Sequence, residues 1–126
     1  MSFDWRSYIF LAEELLDLSQ KGRLEEACLR SATSRSYYGI FCIARNFLKK
    51  KGINIRPIDT HKFVREQYMN SSIIIERKIG EDLKRLWRQR IESDYEDIAN
   101  INITGVRTAI ALAKKVLESL RKIGAI

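Results

Sequence analysis

Arg90 and Asp94 stand four residues apart in the stretch Leu83-Lys-Arg-Leu-Trp-Arg-Gln-Arg-Ile-Glu-Ser-Asp-Tyr95, where charge and helical spacing coincide. A guanidinium can grip a phosphate through its planar fork while a carboxylate one helical turn away fixes its orientation. Tyr95 adds a phenol that can donate a hydrogen bond or offer its ring for base stacking. At 100° per residue Ile79, Leu83, Leu86 and Trp87 fall on one side of a helix, and Arg90 and Asp94 continue that side. Glu81, Arg85, Arg88 and Glu92 fall opposite, spaced as the i,i+4 pairs of a solvated face. A charge on a buried face must be paired or hydrogen-bonded. Arg90 and Asp94 therefore mark either a structural lock or a place where chemistry is done.

A second arginine raises the same question. Arg35 lies among Leu24, Cys28, Ser31, Tyr38, Gly39 and Cys42 on one side of a long helical run. It needs an anion, and Asp94 is the best-placed candidate, so an Arg35–Asp94 salt bridge is expected, with the intrahelical pair Arg90–Asp94 as the alternative. For nucleophilic catalysis only His61 is available as a base, while its plainer role is a helix-start histidine contacting backbone or water. No glycine-rich phosphate loop is present, and one histidine and two cysteines without ligand spacing give no metal site and call for no cofactor.

Five helices are needed to position these residues. Ser2 or Asp4 caps a first helix carrying Trp5, Ile9, Ala12 and Leu16 and ending near Gly22. A second runs from Arg23 to Lys51; its small residues let a neighbour approach closely, and it closes on Lys49-Lys50-Lys51-Gly52. Pro57 marks a loop, after which Asp59 or Thr60 caps a short third helix with His61, Phe63, Val64 and Tyr68, ended by Asn70-Ser71-Ser72. Ile73 to Ile75 leads into the fourth helix, Glu76 to Glu96. A loop follows over Asp97 to Ile103, and Thr104 caps a last helix carrying Val106, Ile110, Ala113, Val116, Leu117 and Leu120. Such a pattern predicts an all-α, antiparallel, up-and-down bundle of four to five helices, a single domain over residues 1–126.

Bulk composition narrows the partners. Lys and Arg number 23 against 16 Asp and Glu, a net charge of +7 that favours polyanions and equally fits a basic soluble protein. The Lys114, Lys115, Arg121, Lys122 group and the Lys49–Lys51 run read as a solvated face and a helix terminus that can also attract phosphate. Cys28 and Cys42 are about 21 Å apart along one helix axis and cannot bridge each other. Reduced thiols, no long apolar run and no signal-peptide pattern lead to the expectation of a cytoplasmic protein without membrane contact.

Ser34-Arg35-Ser36-Tyr37-Tyr38-Gly39-Ile40-Phe41, Thr60-His61-Lys62 and Leu83 through Tyr95 resemble the HEPN superfamily, in the branch with a Ser-Arg-x-Tyr-Tyr helix and an Arg-x-x-x-Asp-Tyr helix end. The likeness runs from about Leu11 to Leu120. It implies a helical bundle, usually a homodimer, from a bacterium or archaeon, often paired with a small nucleotidyltransferase in toxin–antitoxin-like modules and often binding or cutting RNA. Catalytic members carry an arginine followed by four to six residues and then a histidine, the pair placed across the dimer cleft for metal-independent cleavage. Arg90 matches that arginine, and Tyr95 stands where the histidine would be. A phenol with a pKa near 10 is a poor base at neutral pH. His61 matches a histidine common in this branch. The candidate catalytic residues are thus Arg90, Tyr95 and His61, and the candidate binding residues Arg35, Tyr38 and Asp94. The function expected is binding of RNA or nucleotide within the two-protein module, without catalysis of its own. The alternatives are a metal-independent ribonuclease toxin and a purely structural interaction protein.

Overall fold

The computed structural model describes residues 2–22 and 24–126. Five helices make up its regular structure, with no strand among the described residues: α1 (Ser7–Ser19), α2 (Glu25–Lys50), α3 (Thr60–Met69), α4 (Ile74–Tyr95) and α5 (Ile103–Lys122). The all-α bundle is as expected, and the start placed at Arg23 for the second helix lies outside the described residues. None of these helices is long and apolar enough to cross a membrane.

α2 is the central element and touches all four others. Its length follows from a run free of proline, acidic residues Glu25 and Glu26 in the first turn and Lys49 and Lys50 in the last, each sign suited to its end of the helix dipole. Arg30 reaches the Ser93 carbonyl, Ser34 reaches Asp94, and Tyr38 reaches Arg90, so α2 and α4 run antiparallel. Gly39 lets α1 come close, since a Cβ there would lie 3.0 Å from the Trp5 carbonyl oxygen. The main core gathers Ile40, Phe41, Leu83, Leu86, Val116 and Leu120 among others, and a smaller one joins Ala12, Leu29, Ala32, Val106 and Ile110. Cys28 and Cys42 are both buried and free.

Several helix starts differ from expectation. α1 begins at Ser7, and Asp4 serves it by accepting the Ser7 amide (3.0 Å) and hydroxyl (2.6 Å) on its carbonyl. Asp59 occupies the cap position of α3 in a left-handed conformation, φ 54°, without a capping side-chain bond. Thr60 instead donates its hydroxyl to the Arg56 carbonyl (2.9 Å). α4 starts two residues earlier than read, because Ile74 and Ile75 continue the helix rather than lead into it. The last helix is capped by Asn102, not Thr104: the Asn102 Oδ1 accepts the Gly105 amide at 2.8 Å. Asn102→Ala should therefore cost about 1 kcal/mol, whereas Thr104→Ala should cost a few tenths; urea unfolding of the two variants checks the difference.

Candidate functional site

Arg90 is turned inward by the register of α4. Ile79, Leu83 and Leu86 of the same stripe are all essentially buried, and Arg90 keeps only 5 % exposure. It meets Tyr37 and Tyr38, which α2 presents from two neighbouring positions. Arg90 Nη2 donates to the Tyr38 hydroxyl at 2.9 Å. Its Cζ lies 5.0 Å from the Tyr38 ring centroid, 5.7 Å from that of Tyr37 and 5.9 Å from that of Tyr95. Three π faces at such distances stabilise a cation withdrawn from water.

Asp94 completes the cluster. Its Oδ2 is 3.6 Å from Arg90 Nε and accepts the Ser34 hydroxyl at 3.2 Å. The expected Arg35–Asp94 salt bridge is not formed. Arg35 instead lies over the rings of Tyr8 (4.8 Å) and Tyr38 (5.2 Å), with Nη2 3.4 Å from the Ser34 hydroxyl. Asp94 is one turn from Arg90 on the same helix, so the intrahelical alternative wins, and Ser34 links the two arginine environments. Asp94 is also less buried than its place on the stripe implied, because the stripe runs out at the helix end: its side chain keeps 27 % exposure. The i,i+4 partners on the opposite face, Glu81 with Arg85 and Arg88 with Glu92, make no salt bridge among the described residues. Both pairs are exposed, where ion pairing contributes little.

His61 sits on the first turn of α3, stacked on Phe41 at 4.1 Å between ring centroids, with Tyr38 edge-on at 5.8 Å. Its Nδ1 is 2.6 Å from the Tyr37 hydroxyl. Burial holds the Tyr37 phenol well above its ordinary pKa, so Tyr37 keeps its proton. The contact fits either tautomer of the neutral ring: with the ring proton on Nε2 the phenol donates to Nδ1, and with it on Nδ1 the phenol accepts and Nε2 is the acceptor. Burial, with the nearby positive charges of Arg90, Arg65 and Arg45, pushes the imidazole pKa down to about 4. His61 and Arg90 thus share Tyr37 and Tyr38 as neighbours, while Tyr95, 68 % exposed, stands at the rim.

The low His61 pKa has a stability consequence. The folded value lies below the ordinary 6.5, so the unfolded chain takes up the proton first. The contribution is whole above pH 6.5 and is lost as pH falls toward 4. Because the ring is partly exposed, the loss is on the order of 1–2 kcal/mol. Denaturant melts of the native protein and of His61→Gln should show a stability gap that narrows between about pH 7.5 and pH 5. An unchanged gap would contradict the assignment.

Tyr37 and Ser34 are the partners that sequence reading left out of the site. Their signal was present in the i,i+4 spacings Tyr37–Phe41 and Ser34–Tyr38, which place them on the faces of α2 that meet His61 and Arg90. A separate hollow of about 160 Å3 lies on the α5 side of α4, lined by Thr33, Gln89, Ser93 and Asn102. Neither Arg90 nor His61 lines it.

Fold and site together define a small all-helical domain with an arginine-centred polar cluster between two antiparallel helices. The chain belongs to the HEPN domain family, whose model matches residues 6–123. No curated protein matches the sequence at a significant level. Family membership suggests an RNA-related or nucleotide-binding function.

Proposed function

We propose that the protein binds RNA or nucleotide through Arg90 and does not cleave it. The observation that carries this reading is the state of the Arg90 guanidinium. Its buried Nε faces Asp94 at 3.6 Å, Nη2 donates to the Tyr38 hydroxyl, and Nη1 makes no hydrogen bond to the described residues. A guanidinium held in place by Tyr38 and Asp94 with donors to spare suits a phosphate oxygen. In this role Asp94 orients the fork, and Arg35 and Tyr38 support it from α2. Tyr95, exposed beside Arg90, stacks a base.

The lack of a group tuned as a general base near neutral pH favours binding over cleavage. Tyr95 is a phenol, and His61 has its Nδ1 engaged by Tyr37 and a pKa of about 4. The protein falls in the branch marked by Ser-Arg-x-Tyr-Tyr and Arg-x-x-x-Asp-Tyr. It works in the cytoplasm of a bacterium or archaeon as a homodimer, in a toxin–antitoxin-like module with a small nucleotidyltransferase.

A metal-independent ribonuclease is the second reading. It is favoured by the placement of His61 and Arg90 around the same two tyrosines. Fluorescence anisotropy with a labelled twelve-nucleotide RNA tests the binding role: saturable binding lost on Arg90→Ala is expected. Equal binding by both proteins would remove Arg90 from the site, and no binding by either would leave a structural interaction protein.

A further inference from the structure

We propose that the groove lined by Arg45, Lys49 and Arg56 is a second phosphate subsite, so that the ligand is a single-stranded polynucleotide and not a mononucleotide. This inference rests on the reading of Arg90 as a phosphate-binding residue. The groove encloses about 540 Å3 between the end of α2 and the loop leading to α3, with Asn54 and Thr60 on its walls. No acidic residue lines it, and its three cations make no salt bridge among the described residues. Lys49 and Arg56 are exposed and Arg45 is partly buried. Three unneutralised cations around one concavity attract a polyanion backbone.

The register of α2 ties this groove to Arg90. Tyr38, which holds Arg90, is seven residues before Arg45 and eleven before Lys49. At 100° per residue all three fall within about 40° of one another, on a single stripe of the helix. The rise of 1.5 Å per residue puts Arg45 about 10 Å and Lys49 about 16 Å along the axis from Tyr38. At the stacked spacing of 3.4 Å per nucleotide that distance covers roughly three to five nucleotides, and fewer when the strand is extended. Aromatic rings lie along the way. His61, partly buried and resting on the core residue Phe41, lies between the two ends, and the partly buried Trp5 ring lies 5.9 Å from the Arg45 guanidinium. Cations interleaved with aromatic rings are how single strands are followed without sequence preference. A mononucleotide spans one end of this track only.

The double variant Lys49→Glu/Arg56→Glu tests the proposal, since both side chains are exposed and their replacement should leave the fold intact, as a thermal melt verifies. Anisotropy is measured with a labelled twelve-nucleotide oligouridylate, and AMP binding by calorimetry. The variant is expected to bind the oligonucleotide at least about tenfold more weakly, with a shallower salt dependence, and to bind AMP as the native protein does. Unchanged oligonucleotide affinity, with binding still lost on Arg90→Ala, would overturn the second subsite and leave the Arg90 reading in place. An equal loss for AMP and oligonucleotide would also overturn it. Failure of the native protein to bind either ligand would overturn the second subsite and the Arg90 reading together.

Discussion

Arg90→Ala should weaken RNA binding about 10- to 100-fold. A hydrogen-bonded charged contact contributes about 1.5–3 kcal/mol, and each 1.4 kcal/mol is a factor of ten. Arg90→Lys should recover little of this, because an ammonium is a point charge that cannot reproduce the planar fork beside the Tyr37 and Tyr38 rings. Tyr38→Phe removes the hydroxyl that accepts from Nη2 at 2.9 Å but keeps the ring, so its effect should be smaller, about 1 kcal/mol. The order Arg90→Ala, Arg90→Lys, Tyr38→Phe in decreasing severity is the expected signature. The fold should survive all three: Asp94, left without its arginine, has a side chain still 27 % exposed and can be hydrated. Titration of a labelled RNA with each variant, alongside circular dichroism, separates loss of binding from loss of structure.

Gly80→Ala should have the largest effect on stability. A Cβ at Gly80 would lie 2.6 Å from the Met69 amide nitrogen and 2.8 Å from the Arg65 carbonyl oxygen, both backbone atoms of α3. Neither can yield as a side-chain tip would, so α3 must move off α4. Overpacking of this kind costs about 1–3 kcal/mol, and the involvement of backbone places Gly80→Ala at the upper end. In a domain of this size that corresponds to a fall in Tm of about 10 °C. The displacement should also reach the site, because α3 carries His61 and its 2.6 Å contact with Tyr37. Gly105→Ala is the control. The nearest atom to a Cβ there is Asn102 Oδ1 at 3.5 Å, an ordinary contact, and its Tm should change little. Scanning calorimetry of the two variants gives the comparison directly.

How far the sequence carried these residues depends on which physical signal each one emits. Periodicity along α4 marked Arg90 as a charge on an apolar stripe, and Arg90 is buried. The same periodicity says which way a residue faces and not what meets it there. That is why the pattern pairs Arg35 with Asp94, whereas the actual partner of Asp94 is Arg90 and Arg35 rests on Tyr8 and Tyr38. The cap of α5 shows a similar limit. Asn102 and Thr104 are both good capping residues, and only the extended backbone at Asn102, φ −142° and ψ 165°, decides between them. Nothing in the sequence distinguished Gly80 from the other scattered glycines, because its role is a close approach between two helices far apart in the chain. His61 was legible as a candidate base. Its 2.6 Å contact with the Tyr37 hydroxyl is a tertiary fact.

Incubating an end-labelled RNA with the purified protein in the presence of a chelator, and running the mixture on native and denaturing gels, tests the central claim most directly. Binding through Arg90 without cleavage predicts a shifted band on the native gel, full-length RNA on the denaturing gel, and no shift with Arg90→Ala. Shortened RNA that returns to full length with Arg90→Ala would contradict it and make the protein a ribonuclease.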